Sequence, residues 1–231
     1  MSKNITNVVA ITIIDETSLI NGKICDKSKI LLGVRSNTNP IQPNVISSPT
    51  QRIPNSLAKE LLNIKKKEVK FNSLPGYVDK TYFLFGKQHS QDKRGHDPGV
   101  FIINSLLSSK LGLAEDLEKG KILYDYLVCG LVNGKVFHHE TCRPGEILDD
   151  KTNKKVEFHN MINLLVLIKQ GSQFFPKKTA AYKKLIWEDI KTFKNKVENL
   201  TEEIDSYKND FPIGGLCVAS SYVTINKVEN D

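Results

Sequence analysis

The segment from Asp97 to Gly112 constrains this chain more than any other. Asp97-Pro98 reads as a helix start: the Asp side chain accepts from the first backbone N–H groups, and the missing N–H of proline costs nothing at the first helical position. Ile103, Leu106, Leu107 and Leu111 then recur at helical spacing, and Gly112 stands where a left-handed residue ends a helix. A helix with one apolar face needs a surface to bury it against, and the flanking sequence supplies strands. Residues 5–14 are rich in β-branched side chains, as is the run Ile30-Leu31-Leu32-Gly33-Val34, with Asn21-Gly22 as a turn between them.

The rest of the pattern extends this order. Residues 36–43 form a polar loop with Pro40 and Pro43, and 45–48 a short extended piece closed by Pro49. Leu57, Ala58, Leu61 and Leu62 place a helix after Pro54. Residues 81–85 read as a strand and 87–99 as a polar loop. Asn133-Gly134 reads as a hairpin turn between 121–132 and 135–142, and 161–168 as a further strand. Tyr182, Leu185, Ile186, Ile190, Phe193 and Val197 predict one long amphipathic helix over 179–199. The β-branched tail 216–225 reads as a strand or arm hinged at Gly214-Gly215. Strands, an embedded helix, more strands and a terminal helix predict an α/β/α sandwich with a mixed sheet and a long C-terminal helix.

The 231 residues suit a single domain, 1–231, with an insertion at 65–99 and a C-terminal extension at 200–231. Residues 8–14 are closed by Asp15 and Glu16, so they read as a strand and not as a signal peptide. No apolar run approaches the roughly 20 residues a membrane helix needs, so a cytoplasmic protein with no membrane association is expected. Cys25, Cys129, Cys142 and Cys217 are dispersed, with no C-x-x-C pair, so neither structural zinc nor disulfides are expected. The net charge of +7 favours phosphate-bearing ligands. Nucleic acid is open on charge alone, but the clusters Lys65–Lys67, Lys177–Lys178 and Lys183–Lys184 lack interleaved aromatics. No G-x-S-x-G and no G-x-x-x-x-G-K-[ST] is present, which argues against a serine hydrolase of that type and a P-loop NTPase.

On its element order and two motifs the chain resembles the Nudix hydrolase superfamily. Leu31-Leu32-Gly33-Val34-Arg35 matches the family's L-L-x-x-R strand, and Pro49-Thr50-Gln51 stands for its Pro-Gly-Gly turn. The helix frame R-E-U-x-E-E-x-G-U falls on Ser105-Leu106-Leu107-Ser108-Ser109-Lys110-Leu111-Gly112-Leu113, and the Glu ahead of it on Asp97. Leu107, Gly112 and Leu113 match outright. In the family the helix glutamates hold Mg²⁺ or Mn²⁺ against a diphosphate. Here those positions carry Leu106, Ser109 and Lys110, and the Arg position carries Ser105. Magnesium takes hard oxygen ligands, so box-dependent hydrolysis is not expected.

What the resemblance then implies is a protein that binds a nucleotide or other phosphorylated small molecule, or a protein partner, with Arg35, Gln51 and Arg52 as ligand contacts. Arginine can fork onto phosphate oxygens. No cofactor is expected; Mg²⁺ or Mn²⁺ enters only if carboxylates outside the frame, Asp97, Glu140 or Glu157, sustain hydrolysis. Glu146 is a further carboxylate of that kind. On a strand His138, Glu140 and Cys142 share one face and form the densest set of metal-ligating types, with His159 as a fourth. A polar outer face explains them without a metal. His89, Asp92 and His96 lie in the polar loop before the helix, in reach of a ligand rim.

Overall fold

The computed structural model describes residues 5–39, 43–62, 66–69, 82–85, 88–90, 97–137, 156–199 and 216–230. Along these residues the chain forms β1 (Ile5–Asp15), β2 (Lys29–Arg35), β3 (Ile46–Ser47), β4 (Thr50–Arg52), α1 (Asn55–Leu62), β5 (Lys66–Val69), β6 (Tyr82–Phe85), β7 (Gln88–Ser90), α2 (Pro98–Leu111), α3 (Ala114–Glu118), β8 (Tyr124–Phe137), β9 (Val156–Ile168), β10 (Tyr182–Asp189), α4 (Ile190–Glu198) and α5 (Leu216–Asn230). The main sheet runs β10-β2-β1-β9-β8-β6-β5. It is mixed: β1 and β9 are parallel and the other neighbours antiparallel.

Alternation along the central strands sends side chains to two cores. Val9, Ile11 and Ile13 of β1, with Ile162, Leu164 and Val166 of β9, face α1 and α2, whose Leu61, Ile103, Leu106 and Leu107 complete one cluster. Val8, Ala10 and Ile14, with Met161 and Leu165, face α4 and α5 through Phe193, Val197, Val218 and Ile225. Helices on both faces of a mixed sheet make the expected α/β/α sandwich. Among the described residues no helix is long and apolar enough to cross a membrane.

The β1–β2 pair opens into a fork, joined at Ile13↔Leu31 and Ile14↔Ile30. Into the gap dips the segment β3–β4, with β3 against β2 (Gly33↔Ser47) and β4 against β1 (Val9↔Gln51). The bend between them lies at Ser48-Pro49, where the Pro49 carbonyl accepts from Ile11 N at 2.9 Å. A turn was expected to include Thr50 and Gln51. Instead both are strand residues, because β1 offers its open backbone groups to them. The Asn21-Gly22 turn is present, both residues at positive φ (52° and 71°), closed by the Ile20↔Lys23 bridge.

Three other expectations are corrected. Asn133-Gly134 makes no turn: β8 runs through it, pairing Asn133↔Asn160 and Gly134↔His159, so a full-length partner strand overrides the local signal. The long helix over 179–199 is a strand followed by a shorter helix, β10 and α4. Leu185 joins the α2-side core and its neighbour Ile186 the α5-side core, the opposite-face placement that only a strand gives adjacent residues. The tail read as extended is the helix α5. Its Cys217, Val218, Ser221, Thr224 and Ile225 are buried at helical spacing, and packing on the sheet outweighs the weak helix propensity of its Ser, Thr and Val residues.

Candidate functional site

Helix α2 is fixed at both ends by the residues the sequence offers. Asp97 Oδ1 accepts from Gly99 N (2.9 Å) and Val100 N (3.3 Å), and also from the Tyr126 hydroxyl. Burial, then that hydrogen bond, pushes the Tyr126 phenol well above its ordinary range, so it stays a neutral donor. Only glycine fits at 99, since a Cβ there would lie 2.3 Å from the Tyr126 hydroxyl oxygen. Gly112 closes the helix at φ 66°, with Leu113 N bonded to Leu107 O at 3.2 Å and Gly112 N to Ser108 O at 3.1 Å.

Between these ends the family frame meets side chains with other duties. Leu106 is wholly buried in the α2-side core. Ser109 Oγ donates to the carbonyl of Ser105 one turn earlier, at 2.7 Å. The Lys110 carbonyl accepts from Thr179 Oγ1 at 2.8 Å, which ties the helix end to the segment before β10. Ser105 and Gln51 exchange hydrogen bonds of 3.1 and 3.2 Å, joining α2 to β4. Outside this contact lies an open groove of about 460 Å³ between α2 and α3, lined by Phe101, Asn104, Ser105, Ser108, Ala114 and Leu117. Asn104 accepts from the Tyr124 hydroxyl at its inner edge, at 2.8 Å. Among the described residues no three His, Cys, Asp or Glu side chains stand close enough to share a metal ion.

The three residues expected to contact a ligand are not brought together. Arg35 is buried at the fork, its Nε donating to Ser47 Oγ (2.9 Å) and its Nη2 to Cys217 Sγ of α5 (3.4 Å). Gln51 faces α2. Arg52, its neighbour on β4, is exposed and points to the opposite side of the sheet, in register with Val8. Packed beside Arg35 is the buried Tyr182, whose ring lies so close to Gly33 that a Cβ there would be 2.3 Å from it. Glu157 lies on β9 opposite Val136, and His159 is buried on the same strand. His138, Glu140, Cys142, Glu146, Asp92 and His96 lie outside the described residues, and of His89 the structure describes the backbone in β7.

Two features escape the sequence reading. One is a polar seam beneath α5. Asn163 Nδ2 donates to Thr224 Oγ1 (2.6 Å), Thr12 Oγ1 (3.0 Å) and the Ser220 carbonyl (3.3 Å). Thr12 Oγ1 donates to Ser221 Oγ at 2.7 Å, and Ser48 Oγ lies 2.7 Å from that same Ser221 oxygen. The signal was a lone Asn within the apolar run 161–168, and nothing in the sequence named its partners. The other feature is an apolar cleft of about 370 Å³ at the far end of α5, lined by Leu19, Ile24, Leu127, Leu165, Leu167 and Val228, with Asp125 and Lys23 at its edge. Beside it Lys169 bridges Glu16 (2.8 Å) and Asp125 (2.9 Å). The Lys169 ammonium bond holds the Glu16 carboxyl below its ordinary range, and the two carboxylates in turn raise Lys169.

No protein-family model matches the chain, and no curated protein does. Among solved structures it is similar to a NUDIX hydrolase from Alicyclobacillus acidocaldarius, at 10% identity and a TM-score of 0.45, over 98% of this chain and 93% of that one. At that identity and score the likeness is one of outline, and it assigns no residue a role.

Proposed function

We propose that this chain is a Nudix-like domain that binds a nucleotide or other phosphorylated small molecule without hydrolysis through α2. The observation that carries this reading is Leu106. A carboxylate at that position would have to point into a dry core, where an unpaired charge is unstable, so the frame has no place for the first of its metal ligands. Ser109 adds a hydroxyl already committed to its own helix, and Lys110 a cation. Mg²⁺ needs several oxygen ligands around it, and this helix face supplies none that are charged. In this reading Arg52, exposed on β4, makes the phosphate contact. Arg35 acts from behind, holding Ser47 and so the bend that presents β4.

Isothermal titration against a panel of nucleoside diphosphate derivatives, with and without Mg²⁺, tests this. The expected result is binding that does not require the ion and that weakens about tenfold in Arg52→Ala, the loss of one charge-assisted contact. Binding to no member of the panel overturns the reading. Mn²⁺-dependent turnover that collapses in Glu140→Gln or Glu157→Gln would replace it with a hydrolase using carboxylates outside the helix.

A further inference from the structure

Strand β10 ends the main sheet on one side, and among the described strands none pairs with its outer edge. Two backbone bonds fix which of its residues face outward. Arg35 N bonds Val45 O at 3.0 Å, so the odd-numbered residues of β2 turn their backbone groups toward β3, and Ile190 N bonds Ser28 O at 2.9 Å. In the register Leu185↔Gly33, Ile186↔Leu32 and Trp187↔Leu31, the residues that bond inward to β2 are therefore Lys184, Ile186 and Glu188. Leu185 and Trp187 aim both N–H and C=O away from the sheet. Thr179 N reaches Tyr182 O at 3.3 Å, at the start of the strand, and among the described residues no further backbone bond reaches this edge. Phe174 meets the Trp187 ring edge-on, with centroids 6.1 Å apart, on the α2-side face that Leu185 shares.

The charges of β10 are arranged symmetrically. Lys183-Lys184 stands before Leu185-Ile186-Trp187, and Glu188-Asp189 after it, so this edge is neutral on a chain of net charge +7. Two copies laid antiparallel about a two-fold axis at Ile186 set Leu185 opposite Trp187 and Lys184 opposite Glu188, each pair on one face of the joined sheet. Ile186 meets its own copy, and Asp189 falls opposite the bulge at Lys183. Moving the axis by one residue in either direction sets Lys184 opposite Ile186 or Ile190, and leaves Glu188 with no cation across the seam. Within its own chain Glu188 is held by Lys196 through Oε1, but Oε2 has no hydrogen-bond partner among the described residues.

From this edge we infer that the protein self-associates, each copy adding its β10 antiparallel to the β10 of the other with the axis at Ile186. Each Leu185 exchanges a pair of backbone hydrogen bonds with the Trp187 across from it, and the 38% exposed Trp187 side chain gains a leucine neighbour. Lysines on an edge strand repel indiscriminate pairing. Here they also select the partner, since the register that satisfies Lys184 is the one a second copy offers. An extended segment of another protein would make the same backbone bonds without the charge match.

Sedimentation velocity over a concentration series should show a species of twice the 26.0 kDa chain mass. Lys184→Glu sets like charges across both symmetric pairs and should weaken the dimer about tenfold. The amides of Leu185 and Trp187 should gain protection from hydrogen exchange as concentration rises, while that of Ile186, already bonded to β2, should change little. Ile186→Cys tests the axis. Opposite residues that are not hydrogen-bonded to each other stand about 4.5 Å apart at Cα, within disulfide reach, so mild oxidation should link two copies through Ile186→Cys and not through Lys184→Cys. Circular dichroism checks that the variants keep the fold. A chain that stays monomeric up to about 1 mM overturns the inference. So does a dimer that Lys184→Glu leaves as tight as the parent, or one in which Ile186→Cys links no faster than the native cysteines, since either places the interface elsewhere.

Discussion

The two faces of the central sheet are covered by different physical means. On one, α2 presses Ile102, Ile103, Leu106, Leu107 and Leu111 into an apolar core, and hydrogen bonding is confined to its ends and rim. On the other, α5 lies over a sheet surface interrupted by Thr12, Ser48 and Asn163, and answers it with Ser220, Ser221 and Thr224. Apolar contact is tolerant of direction, so burial holds α2 in place without specifying much detail. Hydrogen bonds are directional and costly to leave unmade, so the seam fixes the register of α5 on the sheet. The seam is nearly complete: Ser220 Oγ is its one buried hydroxyl without a partner among the described residues.

The sharpest way to break this contrast is to place a charge on the apolar side. Leu106→Glu places a carboxylate in the α2-side core, and should destabilise the fold by on the order of 4–5 kcal/mol. Urea denaturation should show the loss, and no Mn²⁺-dependent hydrolysis should appear. Recovered turnover in a folded Leu106→Glu protein would mean that the helix can turn its frame outward, and the reading of α2 would fail.

A smaller effect is expected on the polar side. Asn163→Ala removes the amide that Thr12 and Thr224 share with the Ser220 carbonyl, and should cost about 2 kcal/mol, the usual penalty for stranding buried polar groups. The loss should appear first as faster amide exchange in α5, with α2 protected as before. Uniform loss of protection in both helices would show that the two faces are not separate in the way described.

The smallest effect concerns the polar device at the start of α2. Asp97→Ala should cost about 1 kcal/mol by removing the cap, while Asp97→Asn should recover most of it. A metal-binding role predicts instead that Mn²⁺ stabilises the parent and neither variant, since the amide would cap well and ligate poorly. Thermal melts of the parent and both variants with and without Mn²⁺ separate the two.

The same contrast explains what could be read from the chain. The start of α2 at Asp97-Pro98, its apolar face and its end at Gly112 are local signals, and each is where the spacing put it. The strands β1 and β2 were legible for the same reason. β10 was not, because Tyr182, Leu185 and Ile186 share a helical spacing with Ile190 of α4, and only the open side of β2 recruits those three as a strand. α5 was misread because Val, Thr and Ile dominate its local preference, while the polar partners that hold it come from residues such as Thr12, at a sequence distance of 209 from Ser221. At the α2 frame, the sequence alone showed Leu106, Ser109 and Lys110 where the resemblance leads one to expect acids. It did not show the burial of Arg35 under Cys217, since that depends on where α5 docks.

The placement of β1 has a consequence for how the molecule is made. It is the first described strand to leave the ribosome, yet its parallel neighbour β9 is a late one: Asn7 waits for Asn160, 153 positions further along. Until then, of the described strands, β2 and the short β4 are the ones beside the β-branched run of β1, and its β9 flank stays unzipped. A chain so wired gathers itself late and all at once, at the slow pace of long-range closure, and the exposed flank is where misassembly would begin.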